Sequence, residues 1–494
     1  MIAKTSLLVL AFTFASLNAF AREEYTRTFD KTVPWRAGQA IFIEHRLGDI
    51  AVRTHQQGDV AIHALIKASA PNADQAKTVA DHIEILVDPS GSELVIRTKY
   101  PELSNSFFGF RNASYYVRYE LTLPETAPLQ VRNSFGSVSV TGLKAGSEIT
   151  TSHGAIDFHD GRGTQRLENS FADVKVTNNA GDVSIQASNG AVDAEDIAGA
   201  LSIRNRFGNI TLARIAKGVN ITNSNGTVQV LDAGGAGTIK NSFGAVTVHT
   251  FKGDLTVDDS NGRVEATNVE GGARLNTTFG EVRFSDVGRQ LFIRANNSKV
   301  SGEHVGGPVN IENSFGAVSV SDVQGAAFVK SGNGGVSLSN IRGEANVRTS
   351  FAMVQATDVA GLLTVENSNG GVRAANVRGA QVTTSFAPVM LDGVNGPIQI
   401  VDQNGSVDAV STVKGNCQPI TIRTSFATLR VRLEGDASYS VTARTSFGKI
   451  RTDFPLSISG SISSDALTGS IGAGRCEMNL INNNGPIEIL KAGS

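Results

Sequence analysis

Short runs of Val, Ile and Leu alternate with small polar residues along most of this chain, and each run ends in a turn. Residues 313–330 show one full unit. Val318 and Val320 alternate with small residues, the two-residue period of a half-buried strand. Asp322-Val323-Gln324-Gly325 then reads as a turn, because Asp bonds its own downstream backbone and Gly accepts a positive φ. A second short strand leads into the next unit. Units open with a signature, Asn-Ser-Phe-Gly or Asn-Ser-Asn-Gly, or a close variant of it, for most of the chain. Its third position falls at 135, 153, 171 and onward to 369, thirteen consecutive intervals of 18 residues. The occupant alternates. Phe135, Phe171, Phe207, Phe243, Phe279, Phe315 and Phe351 interleave with His153, Asn189, Asn225, Asn261, Asn297, Asn333 and Asn369. A fixed short period of strand-like units predicts a solenoid, in which one unit buries its apolar side only by stacking on the next.

Two strands and two turns make one flattened coil of 18 residues, rising ~4.8 Å along the axis. A 36-residue coil competes, with one pure Phe column and one pure Asn column, since like side chains stack well. Charge decides against it. The turn column runs Asp160, Asn178, Asp196, Arg214, Asp232, Thr250, Asn268, Asp286, His304, Asp322, Asn340, Asp358, Asn376. At spacing 18 no two aspartates adjoin, whereas at spacing 36 Asp160, Asp196 and Asp232 would stack at a cost of up to ~1 kcal/mol a pair. Asp157, Lys175 and Asp193 alternate in sign at spacing 18, and Glu265 precedes Arg283. Small residues (Ala194, Ala266, Gly302, Ala374) also sit where other coils carry Val176, Leu212, Val248 and Phe284. That size alternation fills space without strain. The fold class is therefore all-β: a parallel β-solenoid, or β-helix, of 18-residue coils, with a right-handed coil expected. Roughly 18 coils would extend about 85 Å.

The ends differ from the middle. Spacing slips to 17 at Phe386, recovers at Asn404, then lengthens to 22 and 21 at Phe426 and Phe447. Ile41 to Ile50 resembles a first coil without the Phe. Asn72 to Ile85 has helical character, while Glu93–Lys99 and Tyr115–Leu123 read as strands. The chain divides into an export signal (1–21), a first rung with a capping α+β insertion (22–130), the regular solenoid (131–411) and irregular C-terminal coils with a cap (412–494). Caps are expected because open sheet edges invite uncontrolled pairing.

Composition narrows the function. Lys4, the apolar stretch Leu7–Leu17 and Ala19-Phe20-Ala21 form a secretory signal with a small-residue cleavage site. No later apolar run reaches the ~20 residues that span a bilayer. The 44 Lys and Arg nearly balance 46 Asp and Glu, without a basic block, which argues against a nucleic-acid partner. Cys417 and Cys476 are the only cysteines, and in an oxidising compartment they would either pair or remain two thiols.

The repeated Asn-Ser-Phe-Gly and Asn-Ser-Asn-Gly signatures followed by Val-x-Val resemble the adhesin family of bacterial envelope proteins, whose domain has no assigned function. Leu47-Gly48-Asp49-Ile50-Ala51-Val52 and Ala443-Arg444-Thr445-Ser446-Phe447-Gly448-Lys449-Ile450 add to the likeness. It covers nearly all of the mature chain. It implies a non-catalytic exported protein of the periplasm or cell surface, presenting an extended face to a glycan, a protein or an envelope component. A periplasmic scaffold is the alternative, and a carbohydrate-active enzyme the third reading.

No catalytic, cofactor-binding or metal-ligating residue is assigned. Glycoside hydrolysis needs two carboxylates across a cleft, yet the acids are spread at one or two per coil. The densest cluster, Asp157, His159, Asp160 and Arg162, reads as an ordinary strand and turn. His153 replaces Asn in its column, and His304 belongs to the turn column. The Asp/Asn turns lack the nonapeptide of calcium-binding β-rolls. The Asn series at 189 to 369 is expected to satisfy buried backbone groups, and the Phe series to form core, since an exposed one would be a sticky stripe.

Overall fold

The computed structural model describes residues 22–101, 113–413, 417–458 and 463–492. The export signal read at 1–21 lies outside the described residues. The chain folds as two compact units, residues 1–143 and 144–494.

In the first unit, strands β1 (Glu23–Pro34), β2 (Ala40–Glu44), β3 (Ile50–His55) and β4 (Asp59–Ala70) precede helix α1 (Ala73–Asp81). Strands β5 (Glu84–Asp88), β6 (Glu93–Lys99), β7 (Ser114–Pro124), β8 (Leu129–Asn133) and β9 (Val138–Thr141) follow. Asn72 caps α1, its side chain accepting from the Gln75 amide. β2 and β3 are the first coil: they pair in parallel with β8 and β9, Ile41 opposite Leu129 and Ile50 opposite Val138. On their other side lie β6 and β7. The insertion therefore supplies a coil of its own, edged by the antiparallel strands β5 and β4.

The second unit is a parallel β-solenoid. From Ser147 to Val359 each strand pairs with the strand 18 residues on, Ser147 opposite Gln165 and Ile156 opposite Val174. Inward positions are Val, Ile, Leu and Ala, nearly all buried. The size alternation is real: a Cβ on Gly302 would stand 2.5 Å from the Phe284 ring, so the ring takes the space the glycine leaves.

The corner after Val320 works differently from the turn chemistry expected. The left-handed residue is the Asp or Asn itself, with φ between 53° and 57° at Asp160, Asn178, Asp196, Asp322, Asn340 and their column apart from Asp232. Gly325 is not needed for it. Asp and Asn tolerate this region better than other non-glycine residues. The corner residue drops out of the strand register, since Phe158 pairs with Val176 and Gly161 with Asn179. Side-chain bonds link neighbours along the column. Asn178 donates to Asp160 (2.7 Å), Asn376 to Asp358 (2.9 Å), and Asn340 to Asp322. The 18-residue spacing keeps aspartates from stacking and places an amide beside each of these.

Past residue 417 the chain no longer stacks in sequence order. Ile420–Phe426 pairs with Cys476–Asn484, which pairs in turn with Tyr439–Thr445. The last coil is thus inserted between two earlier ones. Cys417 and Cys476 form a disulfide, with Cα atoms 5.7 Å apart, that ties this inserted coil in place.

Candidate functional site

The four signature residues have separate jobs. The first, Asn313, is buried, and its Nδ2 donates to Ser298 O (2.8 Å) and Gly316 O (3.0 Å). Asn169, Asn205, Asn223, Asn241, Asn367 and Asn482 make the same kind of bond to backbone carbonyls of the turn. The buried amide network is therefore this column, not the Asn189–Asn369 series. Asn189, Asn261 and Asn333 are exposed, although Asn189 still donates to Ser170 O. The fourth residue, Gly316, has φ +104°, and a Cβ there would lie 2.3 Å from Ser298 O. Only glycine fits. Pinned on both sides, the third residue points outward.

The phenylalanines are consequently surface, not core. Phe171, Phe207, Phe243, Phe279, Phe315, Phe351, Phe386, Phe426 and Phe447 are 47–82% exposed. By strict alternation Phe315 would face inward with Asn313, but Ser314 and Phe315 are both exposed as the chain enters the Gly316 turn. Register places Phe and Asn in one column: Phe207, Asn225, Phe243, Asn261, Phe279, Asn297 and Phe315 each oppose the next. Rings therefore recur every second rung, ~9.6 Å apart at ~4.8 Å per rung. Small neighbours, Ser314 and Gly316, leave the Phe315 ring standing proud. At the head of the column His153 stacks on Phe171, ring centroids 4.6 Å apart.

Beside the stripe runs a shallow groove of about 930 Å³, lined by Phe315, Asn333, Ser314 and Ser350 and by a ladder of charges. The ladder reads Arg294, Glu312, Lys330, Arg348, Glu366, each opposite the next. Glu312 pairs with Arg294 (3.3 Å) and Glu366 with Arg348 (3.2 Å).

The sequence cluster Asp157, His159, Asp160, Arg162 does not converge. Asp157 and His159 stand outward on the strand Ile156–Gly161, Asp160 forms the corner and bonds Asn178, and Arg162 is exposed in the turn. His304 lies 3.4 Å from Asp286 in the corner column. Among the described residues no group of three His, Cys, Asp or Glu could hold a metal. The titratable groups that burial shifts belong to the frame. Asp259 occupies the buried amide column, where burial pushes its carboxyl up to about 6. In the first unit His45 is buried against Thr98 (3.0 Å) and Val117 O (2.9 Å), and burial lowers its imidazole to about 4.

No family model matches the chain, and no curated protein matches its sequence. Among solved structures it is similar to a "putative cell adhesion protein" from Clostridium sporogenes, at 8% identity and a TM-score of 0.16. That match covers 94% of this chain and 100% of the other. It is also similar to a "putative adhesin" from Parabacteroides distasonis, at 11% identity and a TM-score of 0.22, over 60% of this chain and 97% of the other. Likeness at that level carries no functional argument. No helix among the described residues is long and apolar enough to cross a membrane.

Proposed function

We propose that this chain is an exported, non-catalytic recognition protein of the bacterial envelope, with the Phe/Asn stripe of the second unit as its working face. One observation carries the reading: nine half-exposed phenylalanines in a single column. Monomeric soluble proteins rarely leave more than a few hundred Å² of contiguous apolar surface uncovered. The turns after Phe207, Phe243, Phe279 and Phe315 each carry a glycine at positive φ beside the outward ring. An extended row of like sites suits an extended partner, bound through many weak contacts that add by avidity. The groove beside the stripe is shallow, and the carboxylates Glu312 and Glu366 in it are each held by an arginine, which suits contact better than acid–base chemistry. The Cys417–Cys476 disulfide supports an oxidising compartment.

Two measurements test the proposal. Protease added to intact producing cells should cleave the chain while a periplasmic control survives; protection of the chain until the envelope is permeabilised would remove the surface reading. Labelled mature protein should bind intact producing cells, and Phe279→Ala/Phe315→Ala/Phe351→Ala should reduce that binding at least tenfold. Undiminished binding by the triple variant would exclude the stripe.

A further inference from the structure

We infer that the partner of the stripe is a second copy of this chain, docked antiparallel about a two-fold axis, its phenylalanines seated in the gaps over the first copy's asparagines. The inference rests on the stripe being a recognition face, and three features of the stripe carry it.

The first is shape. A phenylalanine every second rung, with the shorter Asn between, is a comb whose gaps match its teeth. Shifting a second comb by one rung puts each ring between two rings of the other, ~4.8 Å from each, within the ~4.5–7 Å that aromatic pairs favour. Interdigitation of identical side chains across a dry interface has the same logic. A continuous Phe column would have no gaps to receive a partner.

The second is area. Nine rings, each exposing about half of ~200 Å², offer roughly 900 Å² per copy, against the ~800 Å² per partner of a standard stable interface.

The third is charge, and it fixes the register. In an antiparallel two-fold pairing like flank meets like flank, so the charged ladder runs against its own reverse. In rung order it reads Lys240, Asp258, Asn276, Arg294, Glu312, Lys330, Arg348, Glu366. With the axis between the Asn297 and Phe315 rungs, Lys240 faces the second copy's Glu366. Asp258 likewise faces Arg348, Asn276 faces Lys330, and Arg294 faces Glu312. Every charged pair is of opposite sign. Moving the axis one rung on, between Phe315 and Asn333, would set Arg294 against Arg348. The favoured axis is also half a rung from Phe315, the middle ring of the nine, so it gives close to the greatest overlap.

The full mature chain should sediment as a dimer at micromolar concentration. Filling the gaps with Asn297→Phe/Asn333→Phe makes the face more apolar, yet should weaken dimerisation by roughly a hundredfold or more, because the partner's rings are shut out. Both sites are exposed, and neighbouring rungs already carry Phe there, so folding is not at issue. Asp258→Arg should also give monomer, and adding Arg348→Asp should restore the dimer, since these positions meet only across the two-fold. Within one chain they are five rungs, ~24 Å, apart. A wild-type monomer up to ~100 μM, tighter association of the Phe-filled variant, or no rescue by the charge swap would each overturn the inference. A monomer that still binds cells through its phenylalanines would leave the recognition role standing and the self-pairing refuted.

Discussion

Between residues 147 and 411 the order of rungs in space is their order in the chain; past 417 it is not. In the regular stretch an alternating Phe/Asn column could be a relic of a duplicated 36-residue unit. At the re-threaded end that explanation fails. Phe426 opposes Asn484, and Asn482, two residues before it, opposes Thr445, two residues before Phe447. In space the column therefore continues Phe426, Asn484, Phe447, although the Asn rung comes last in sequence. Alternation follows position on the surface rather than position in the chain. A pattern kept through a change of threading is a property of the face.

The two regions should also fail differently. The largest effect is expected at the re-threaded end: Cys417→Ser/Cys476→Ser opens a 59-residue loop, which a chain-entropy estimate places at about 4 kcal/mol. Because coils couple mainly to their neighbours, thermal unfolding followed by circular dichroism should split into an early C-terminal step and a later one for the regular rungs. A single unshifted transition would mean the insertion holds without its staple.

In the regular ladder Gly316→Ala should cost about 2–4 kcal/mol, from a left-handed φ and a Cβ driven into Ser298 O. Chemical denaturation measures it. A loss below ~0.5 kcal/mol, the usual surface scatter, would show that the turn can relax and that outward Phe is not enforced by it.

Asp259→Asn should stabilise the same ladder by about 3 kcal/mol at pH 7. The carboxyl titrates near 3.8 unfolded and about 6 folded. The folded state therefore favours the protonated form, and stability drops as pH rises from about 4 through 6. Asparagine removes that loss and restores the donor its column neighbours use, so the gain should vanish below about pH 4. A gain independent of pH would place its cause elsewhere.

The smallest effect concerns the corner column, where Thr250 holds φ +57° despite its branched Cβ. Thr250→Asn should add about 1 kcal/mol and keep an acceptor for the Asn268 amide, which now bonds Thr250 Oγ1 at 3.3 Å. Melting temperature reports it, and no gain would mean the corner is already relaxed.

Much of this was legible in the sequence. The 18-residue period, the parallel coil, α1, β6 and the pairing logic of Asp160 with Asn178 follow from periodicity and charge. What escaped was side-chain direction inside the signature. A two-residue alternation carries Phe315 inward with Asn313, but the chain turns there: outward Phe occurs both before a glycine at positive φ (Gly208, Gly244, Gly280, Gly316) and before alanine (Ala172, Ala352, Ala387). The C-terminal threading was hidden because the intervals of 22 and 21 after Asn404 look like slippage, while Asn482-Asn483-Asn484-Gly485 gives no hint that it slots between Phe426 and Phe447. The site was present in the sequence as a pattern; its face had to come from the backbone.

Whether the stripe faces solvent is tested most directly by hydroxyl-radical footprinting of the mature chain, read residue by residue by mass spectrometry at low and high protein concentration. The expected result is ready oxidation of Phe279, Phe315 and Phe351 in dilute protein, protection of the same rings at high concentration, and protection of the buried Phe158, Phe251 and Phe284 throughout. Stripe rings as protected as Phe284 in dilute protein would contradict it, and would return the phenylalanines to the core.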